Sequence, residues 1–303
     1  MRGLSASGES YKITHLCRLF GVSKQAYYKH KENLDKAVQR RFIIEYVQTE
    51  RAINPGLGGE KLWHMYTAYF GKEYSIGRDA FLDILRQHGL LLRRNCKRCR
   101  TTDSRHNFPL YPNLIKDLAI ERANQVWGSD ITYIRMSGGF CFLSLITDAY
   151  SRRIVGYEVA PTLEAEYTGK ALAKALSNPE NKNIAGLIHH SDRGCQYASF
   201  NYTTTLKQEG IQISMTENGD PKENAIAERV NGILKQEFLN HYQFTNIRQV
   251  KMAVAKAVKY YNHRRPHRSL DMMTPQQATQ KQGKIPKRWK SYKDIYQQQS
   301  STN

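Results

Sequence analysis

Cysteines, acidic residues and long apolar segments are all scarce in this chain of 303 residues. The five cysteines are odd in number, and Cys141 and Cys195 fall in a predicted core strand and strand end, which argues against a disulfide framework. The sequence shows no signal peptide and no long apolar run, so we expect neither secretion nor a membrane span. These absences predict a reduced, cytoplasmic protein with no membrane partner.

Acidic residues are outnumbered, with 27 Asp and Glu against 46 Lys and Arg, and the formal net charge is +19. Residues 1–110 carry a net charge of +10 and residues 244–303 carry +11, whereas residues 111–243 carry −2. This distribution is typical of a protein whose flanks bind a polyanion while a carboxylate site in the centre processes it. The alternative is a soluble protein with basic solvated faces, which the size of the excess disfavours.

The N-terminal segment 12–31 has the spacing of two short helices around a turn at Gly21, with Ser23 capping the second helix. This spacing resembles a helix-turn-helix. The second helix would present four residues to DNA: Ser23, Lys24, Gln25 and Tyr28. A small helical hairpin with a basic surface is the alternative.

Residues 34–110 predict a further helical region. A helix is expected over 34–52, and residues 75–88 resemble a second recognition helix that carries Arg78 towards DNA and ends at Gly89. Residues 93–106 form a basic linker that could follow phosphates. Within the linker, Cys96-x-x-Cys99 with His106 is a weak zinc candidate, because a partner pair is missing.

From residue 111 the pattern changes to alternating strands and helices. Three consecutive strands are predicted, followed by helix, strand, helix, strand and a helix that carries Glu228; the strands are expected at 126–136, 139–149, 152–160, 185–192 and 212–216. This order predicts an α/β fold with a ribonuclease-H-like, mixed five-stranded sheet. A helix over 246–264 and a basic, then polar tail follow.

Three acidic residues stand where such a sheet would hold a metal-dependent nucleic-acid-cutting site. Asp130 begins an apolar, β-branched run, Asp192 ends another, and Glu228 lies in the predicted helix. A single aspartate at a strand end is often only a turn residue. Together, however, two carboxylates from strands and one from a helix can bind hard divalent cations. Two such cations stabilise the attacking and the leaving oxygen of a phosphoryl displacement.

Polar residues near Glu228 in the sequence support the prediction of a metal-dependent carboxylate site. Lys235 follows Glu228 by seven residues, about two helical turns, and Asn224 and Asn231 lie near the same face. His189, His190 and Cys195 flank Asp192 but make no complete zinc set. No nucleophile-elbow motif supports a hydrolase triad.

Four blocks of this sequence resemble the DDE transposases of insertion-sequence family three, which are relatives of retroviral integrases. The blocks are WGSDITYI, HHSDRGCQY, SMTENGDPKENAIAERVNGILKQE and the closing YNHRRPHRSLDMMTP. The linker and the N-terminal helix-turn-helix also match, so the resemblance extends from about residue 12 to residue 279. Glu223, where an Asp is common, and the CxxC of the linker depart from the pattern.

The resemblance implies an integrase-type catalytic core. It implies that Asp130, Asp192 and Glu228 are catalytic ligands of two Mg²⁺ ions, which Mn²⁺ could replace, and that Lys235 contacts DNA near the scissile phosphate. Further DNA contacts are expected from Arg193, Asn224, Arg265 and His267. The expected domains are a helix-turn-helix (1–33), a second helical region with the linker (34–110), the core with its closing motif (111–282) and a basic tail (283–303).

The resemblance also implies a reaction. Such an enzyme cleaves the ends of an insertion sequence, frees 3′-OH groups and joins them to DNA by a copy-out, paste-in route in the bacterial nucleoid. We expect at least a dimer on DNA. The chain looks like the product of the element's second reading frame (OrfB), which a frameshift can fuse to an upstream product. The alternatives are a nuclease on the same core that does not join ends, and a catalytically idle DNA-binding regulator.

Overall fold

The computed structural model describes residues 2–4, 10–92, 108–181, 183–217 and 224–286. The linker cysteines Cys96 and Cys99, His106 and Glu223 lie outside the described residues, as does most of the C-terminal tail. The first described elements are two short strands, β1 (Arg2–Leu4) and β2 (Ser10–Lys12), which pair antiparallel.

Four helices form the N-terminal region: α1 (Ile13–Leu19), α2 (Lys24–Ile53), α3 (Gly59–Tyr74) and α4 (Arg78–Gln87). Gly21 has a φ of 66° in the α1–α2 turn, and Ser23 Oγ accepts a hydrogen bond from the Ala26 amide at 3.0 Å, as a helix cap does. The turn and cap therefore lie where the sequence predicted them.

Helix α2 is continuous over 30 residues, whereas the sequence suggested two helices, with a domain boundary after residue 33. Neither glycine nor proline occurs between Lys24 and Ile53, so nothing in the backbone chemistry ends the helix there. The predicted second recognition helix is present as α4, and Gly89 after it has a φ of 65°.

The central sheet has the mixed, five-stranded topology that the sequence predicted. Its strands are β3 (Val126–Met136), β4 (Gly139–Asp148), β5 (Ile154–Ala160), β6 (Ile188–Ser191) and β7 (Gln212–Met215). Their spatial order is β5-β4-β3-β6-β7, with β3 to β5 antiparallel and β6 and β7 parallel to β3.

Helices cover both faces of this sheet. They are α5 (Ala165–Ser177), α6 (Cys195–Ala198), α7 (Phe200–Gln208), α8 (Ala225–Ile233), α9 (Ile247–His263) and α10 (Pro275–Ala278). A π-helical turn, Leu234–Phe238, continues α8. Helix α5 lies so close to β5 that a Cβ on Gly156 would be 2.4 Å from the Ala171 carbonyl oxygen, so this position requires glycine.

The N-terminal helices and the sheet share one hydrophobic core. Ile43 and Val47 of α2 and Phe81 of α4 belong to the same buried cluster as Leu143 of β4 and Val254 of α9. The second cluster lies under α5 to α7 on the other face. The regions 34–110 and 111–282, which the sequence separated, are therefore packed against each other through apolar side chains.

Polar contacts, some of them buried, join the same two regions. Tyr260 Oη of α9 donates a hydrogen bond of 2.5 Å to Glu50 of α2, and Arg264 forms an ion pair with the same carboxylate. The Gly56 amide donates to the Glu237 carbonyl oxygen at 2.8 Å. None of the helices in the described part of the chain combines the length and apolar character needed to cross a bilayer.

Candidate active site

Asp130 lies in the middle of β3, the central strand, and its side chain is partly buried. Asn231 Nδ2 of α8 donates a hydrogen bond of 2.8 Å to Asp130 Oδ2. Burial, the largest influence, raises the pKa of Asp130 to about 7 even though the bond from Asn231 acts in the opposite direction. The negative charges of Asp192 and Glu228 raise it further, so both of these carboxylates lie within electrostatic reach of Asp130.

The parallel pairing of β3 and β6 brings Asp192 towards Asp130. Gly128 of β3 is the register partner of His190 of β6. Asp130 follows this pair by two residues within β3, and Asp192 follows it by two residues, directly after the end of β6. The Gly194 amide donates to Asp192 Oδ1 at 3.0 Å, and a Cβ on Gly194 would lie 3.0 Å from that same oxygen. Glycine at this position therefore leaves room for the carboxylate.

Glu228 lies in the first turn of α8 and its side chain is exposed. The helix is attached to β3 at its beginning, where Asn224 Nδ2 donates to the Ser129 carbonyl oxygen at 2.9 Å. Helix α8 and β3 are close together at Gly128, where a Cβ would be in ordinary van der Waals contact with the Cβ of Ala227 at 3.5 Å. The N-terminal turn of a helix favours a negative side chain, which suits Glu228.

The carboxylates of Asp130, Asp192 and Glu228 have the oxygen chemistry that hard divalent cations prefer. A nearby cation would offset the burial and negative charge that raise the pKa of Asp130. In the described part of the chain, however, no three His, Cys, Asp or Glu side chains come close enough together to hold one ion. The oxygen chemistry of the three carboxylates nevertheless fits a divalent cation.

Lys235 lies in the π-helical turn after α8 and reaches back over β3. Its Nζ donates to Thr132 Oγ1 at 3.3 Å and lies 4.0 Å from the centroid of the Tyr133 ring. Lys235 is therefore held beside the same strand as Asp130, two to three residues farther along it. A cation over an aromatic ring is attracted by the electron density of the ring face.

Three of the residues predicted to contact DNA, Asn224, Arg265 and His267, are buried in the structure, and contact with DNA stays a prediction for them. Asn224 bonds to β3, as described above. Arg265 makes a bidentate pair with Glu237, with N–O distances of 2.7 and 2.6 Å. His267 shares a hydrogen bond with Ser269, and burial, reinforced by the charge of Arg265, lowers its pKa to about 2. We assign these residues to the interior framework.

The remaining residues predicted to bind DNA are accessible to different extents. Lys24, Gln25, Tyr28 and Arg78 are exposed. Ser23 is exposed but serves as the cap of α2. Arg193 is partly buried, and its Nε donates to the Thr216 carbonyl oxygen at 2.6 Å. DNA contact by these residues stays a prediction.

The two histidines beside Asp192 belong to a buried polar layer beneath the carboxylates. His189 Nε2 lies 2.8 Å from Ser129 Oγ and 2.9 Å from Tyr202 Oη, and His190 Nδ1 lies 2.9 Å from Ser214 Oγ. Burial lowers the pKa of His189 to about 3, so its ring is neutral at physiological pH.

Sequence reasoning missed two residues that the structure brings to this region. Tyr197 packs beside the aspartates, and Glu237 anchors the π-helical turn that carries Lys235. Both lie at the ends of motif blocks that the sequence singled out, but the motifs gave neither residue a role of its own. A glutamate nine residues after Glu228 has no local signal that distinguishes it from an ordinary surface residue.

Comparison with known proteins identifies the same catalytic core and related transposases. Two family models, each described as an integrase core domain, match residues 120–221 and 209–275. An uncharacterized 31 kDa protein of insertion element IS600 from Shigella sonnei is 34% identical over 269 residues, covering 86% of this chain and 96% of that protein. The transposase InsF of insertion sequence IS3A from Escherichia coli K12 is 30% identical, covering 65% of this chain and 68% of that protein.

Two further similarities have lower identity. The transposase of insertion sequence element IS629 from Shigella sonnei is 28% identical and covers 89% of this chain and 92% of that protein. The solved catalytic core domain of HTLV-2 integrase, in complex with magnesium, is 19% identical. The superposed region covers 52% of this chain and 97% of the integrase domain, with a TM-score of 0.41.

The matched domain models and the sheet order define an integrase-core polynucleotidyl transferase of the DDE type. Its acidic side chains lie on β3, directly after β6 and on α8. Within that class, the chain belongs to the transposases of insertion-sequence family three. The family resemblance seen in the sequence motifs is thereby confirmed, and the protein is a DNA transposase.

Proposed function

We propose that this transposase cuts the ends of an insertion sequence and joins the freed 3′-OH groups to DNA in one acidic site. The site consists of Asp130, Asp192 and Glu228. The observation that carries the proposal is the parallel register of β3 and β6, which brings Asp130 and Asp192 together, with α8 hydrogen-bonded to β3 through Asn224 and Asn231. The charges of Asp192 and Glu228 both act on Asp130. Carboxylates coupled in this way in a polynucleotidyl transferase fold are suited to divalent cations.

The three carboxylates would hold two Mg²⁺ ions, for which Mn²⁺ can substitute. When bound, such ions stabilise the attacking and leaving oxygens of a phosphoryl displacement. Asn231 orients Asp130 through its 2.8 Å hydrogen bond. Lys235, held beside the same strand, supplies a positive charge for the phosphate next to the bond that breaks.

Two reactions would use this one site in succession. In the first, water attacks the phosphodiester at the element end, a P–O bond forms, and the 3′-oxygen leaves as a 3′-OH. In the second, that 3′-OH attacks another phosphodiester and displaces its 3′-oxygen. Both steps are displacements at phosphorus with the same charge distribution, so positioning by the same residues serves both. Joining to the other end of the element gives the copy-out, paste-in route.

The assembly follows from the reaction. Two element ends must be held together, so we propose that at least two copies of the chain act on DNA, with exposed Lys24, Gln25, Tyr28 and Arg78 in contact with it. A fusion with an upstream reading-frame product would add a further DNA-binding segment. Light scattering of the protein with and without paired end DNA tests the stoichiometry.

A strand-joining assay tests the chemistry. Labelled DNA carrying the ends of the flanking element is incubated with the protein and Mg²⁺, beside Asp192→Asn and Glu228→Gln variants. Asparagine at 192 keeps an oxygen for the Gly194 amide, so the fold is retained. Glu209→Gln, at an exposed carboxylate after α7, is the matched control.

The expected result is metal-dependent cleavage and joining by the unaltered protein and by Glu209→Gln. Both products should fall by 100-fold or more in the two site variants, while DNA binding is kept. Cleavage without joined strands would indicate a nuclease. Binding without any chemistry would indicate a regulator or a required upstream partner. Full activity of Asp192→Asn would contradict the site assignment.

A further inference from the structure

Tyr197 carries a buried hydroxyl without a hydrogen-bond partner among the described residues. The residue lies in α6, five positions after Asp192, and only 3% of its surface is exposed. Its ring packs edge-on against Tyr202, with centroids 5.6 Å apart. Burying an unsatisfied hydroxyl destabilises a fold, so this atom calls for a physical explanation.

The ring of Tyr197 lies next to the acidic site. Gly194 separates Asp192 from Tyr197: a Cβ there would be 3.0 Å from Asp192 Oδ1 and 3.7 Å from Tyr197 Cδ2. Burial raises the pKa of Tyr197 well above its usual value, and the charges of Asp192 and Asp130 raise it further. The hydroxyl therefore keeps its proton and can act only as a neutral donor or acceptor.

The neighbouring tyrosine provides a contrast within the same aromatic cluster. Tyr202 is equally buried, but its Oη lies 2.9 Å from His189 Nε2, and the carboxylates are not among the causes of its raised pKa. The two hydroxyls thus differ in a single respect that matters here. One hydroxyl is hydrogen-bonded inside the fold, and the other is buried with no hydrogen-bond partner among the described residues and is influenced by the charges of both aspartates.

We propose that Tyr197 is a positioning residue whose hydroxyl donates a hydrogen bond to the Asp192 carboxylate when that carboxylate holds a divalent cation. The inference rests on the proposed function of the three carboxylates. A carboxylate that ligates a cation with one oxygen is oriented by a donor to its other lone pairs, and losing such a donor typically weakens metal binding about 10- to 100-fold.

Two phenylalanine variants of the full chain test the proposal. Tyr197→Phe removes the unsatisfied hydroxyl and Tyr202→Phe removes the satisfied one, and both keep the rings. Calorimetric titration with Mn²⁺ measures the affinity of the site, and thermal unfolding without divalent ions measures stability. Neither readout depends on DNA or on turnover.

The two variants are expected to behave in opposite ways. Tyr197→Phe should unfold at the same temperature as the unaltered protein or higher, and should bind Mn²⁺ about 10- to 100-fold more weakly. Tyr202→Phe should lower the unfolding temperature by about 2 °C or more and change the Mn²⁺ affinity less than twofold. Mn²⁺ affinity of Tyr197→Phe within twofold of the unaltered value would overturn the proposal. A fall in its unfolding temperature equal to that of Tyr202→Phe would also overturn it.

An Asp192→Asn arm separates this inference from the proposed function. Weak Mn²⁺ binding in Asp192→Asn, with unchanged binding in Tyr197→Phe, contradicts only the role of the tyrosine. Unchanged binding in Asp192→Asn, or none in the unaltered protein, contradicts the carboxylate site itself and the inference with it.

Discussion

At the scale of single residues, the position of Asp130 lowers the folding stability of the protein when its carboxylate is ionised and no cation is bound. Asp130 is held in the central strand where burial and two negative neighbours raise its pKa from an ordinary 3.8 to about 7. A carboxylate whose pKa is higher in the folded than in the unfolded chain binds a proton preferentially in the folded state. Its contribution to stability is therefore present below about pH 4 and is lost as the pH rises through about 7.

The variant Asp130→Asn should consequently be more stable than the unaltered protein at pH 8 without divalent ions, by on the order of 1 kcal/mol or more. The amide has the shape of the carboxylate, can accept the bond from Asn231 and carries no charge. The advantage should vanish near pH 4, while strand joining is lost at every pH. Urea unfolding at the two pH values measures the effect, with exposed Asp117→Asn as the control. Equal stabilisation at both pH values would contradict the electrostatic explanation.

At the scale of elements, the π-helical turn Leu234–Phe238 connects the acidic site to the N-terminal helices. An extra residue in a helical turn shifts the direction of the side chains that follow, and such turns are frequent at functional sites. Here Lys235 is directed to β3, whereas Glu237 pairs with Lys61 of α3 at 2.8 Å and with Arg265. The backbone also fits closely, because a Cβ on Gly56 would lie 2.4 Å from the Glu237 Cα.

Glu237 is the electrostatic centre of that connection. Burial alone would raise its pKa, but hydrogen bonds and charge from Arg265, followed by the charge of Lys61, outweigh burial and lower the pKa to about 2. Because the folded pKa is depressed, the stabilisation is fully present above the ordinary value of 4.5 and is lost as the pH falls towards 2.

Replacing this carboxylate in Glu237→Gln should reduce the free energy of unfolding by about 3 kcal/mol or more, because it leaves the buried Arg265 charge uncompensated. The loss should be constant from pH 8 to about 5 and shrink below pH 4.5, where the unaltered protein also begins to lose the pair. Glu60→Gln is the control: its carboxylate lies 3.7 Å from Arg268 and is 42% exposed, so a change below about 0.5 kcal/mol is expected. A loss that stays unchanged down to pH 3 would exclude the ion pair as its source.

At the scale of the whole molecule, a nearly neutral catalytic centre lies between strongly basic flanking segments. The formal charges are −2 for residues 111–243, +10 for residues 1–110 and +11 for residues 244–303. Part of this positive charge is internal, as Arg265 shows, and the exposed part is available for phosphates. DNA is therefore expected to bind through the flanks and to reach the acidic centre only at the reacting phosphate.

Binding of the full chain to DNA should weaken steeply with salt, by about 1,000-fold or more between 50 and 200 mM if six or more phosphates are contacted. Lys24 is an exposed residue at the start of α2. The variant Lys24→Gln should reduce the slope of log affinity against log salt by about one. Lys170→Gln is the control: this lysine is exposed on α5 in the neutral centre and pairs with Glu166. Fluorescence anisotropy over a salt series gives the slopes. Equal slopes for the two variants would contradict the prediction that Lys24 contacts a DNA phosphate.

The sequence alone determined the order of elements, the mixed sheet and the family, because these depend on local periodicity and on short motifs around Asp130, Asp192 and Glu228. Only the tertiary structure decided which charged residues are internal. Glu50 and Tyr260 are 210 positions apart and form a buried hydrogen bond that no local pattern encodes. The same holds for Arg265 and Tyr197, since a side chain's role depends on which neighbours the fold brings to it. Periodicity indicates a face of a helix or strand, whereas burial and partners arise only when distant faces pack together.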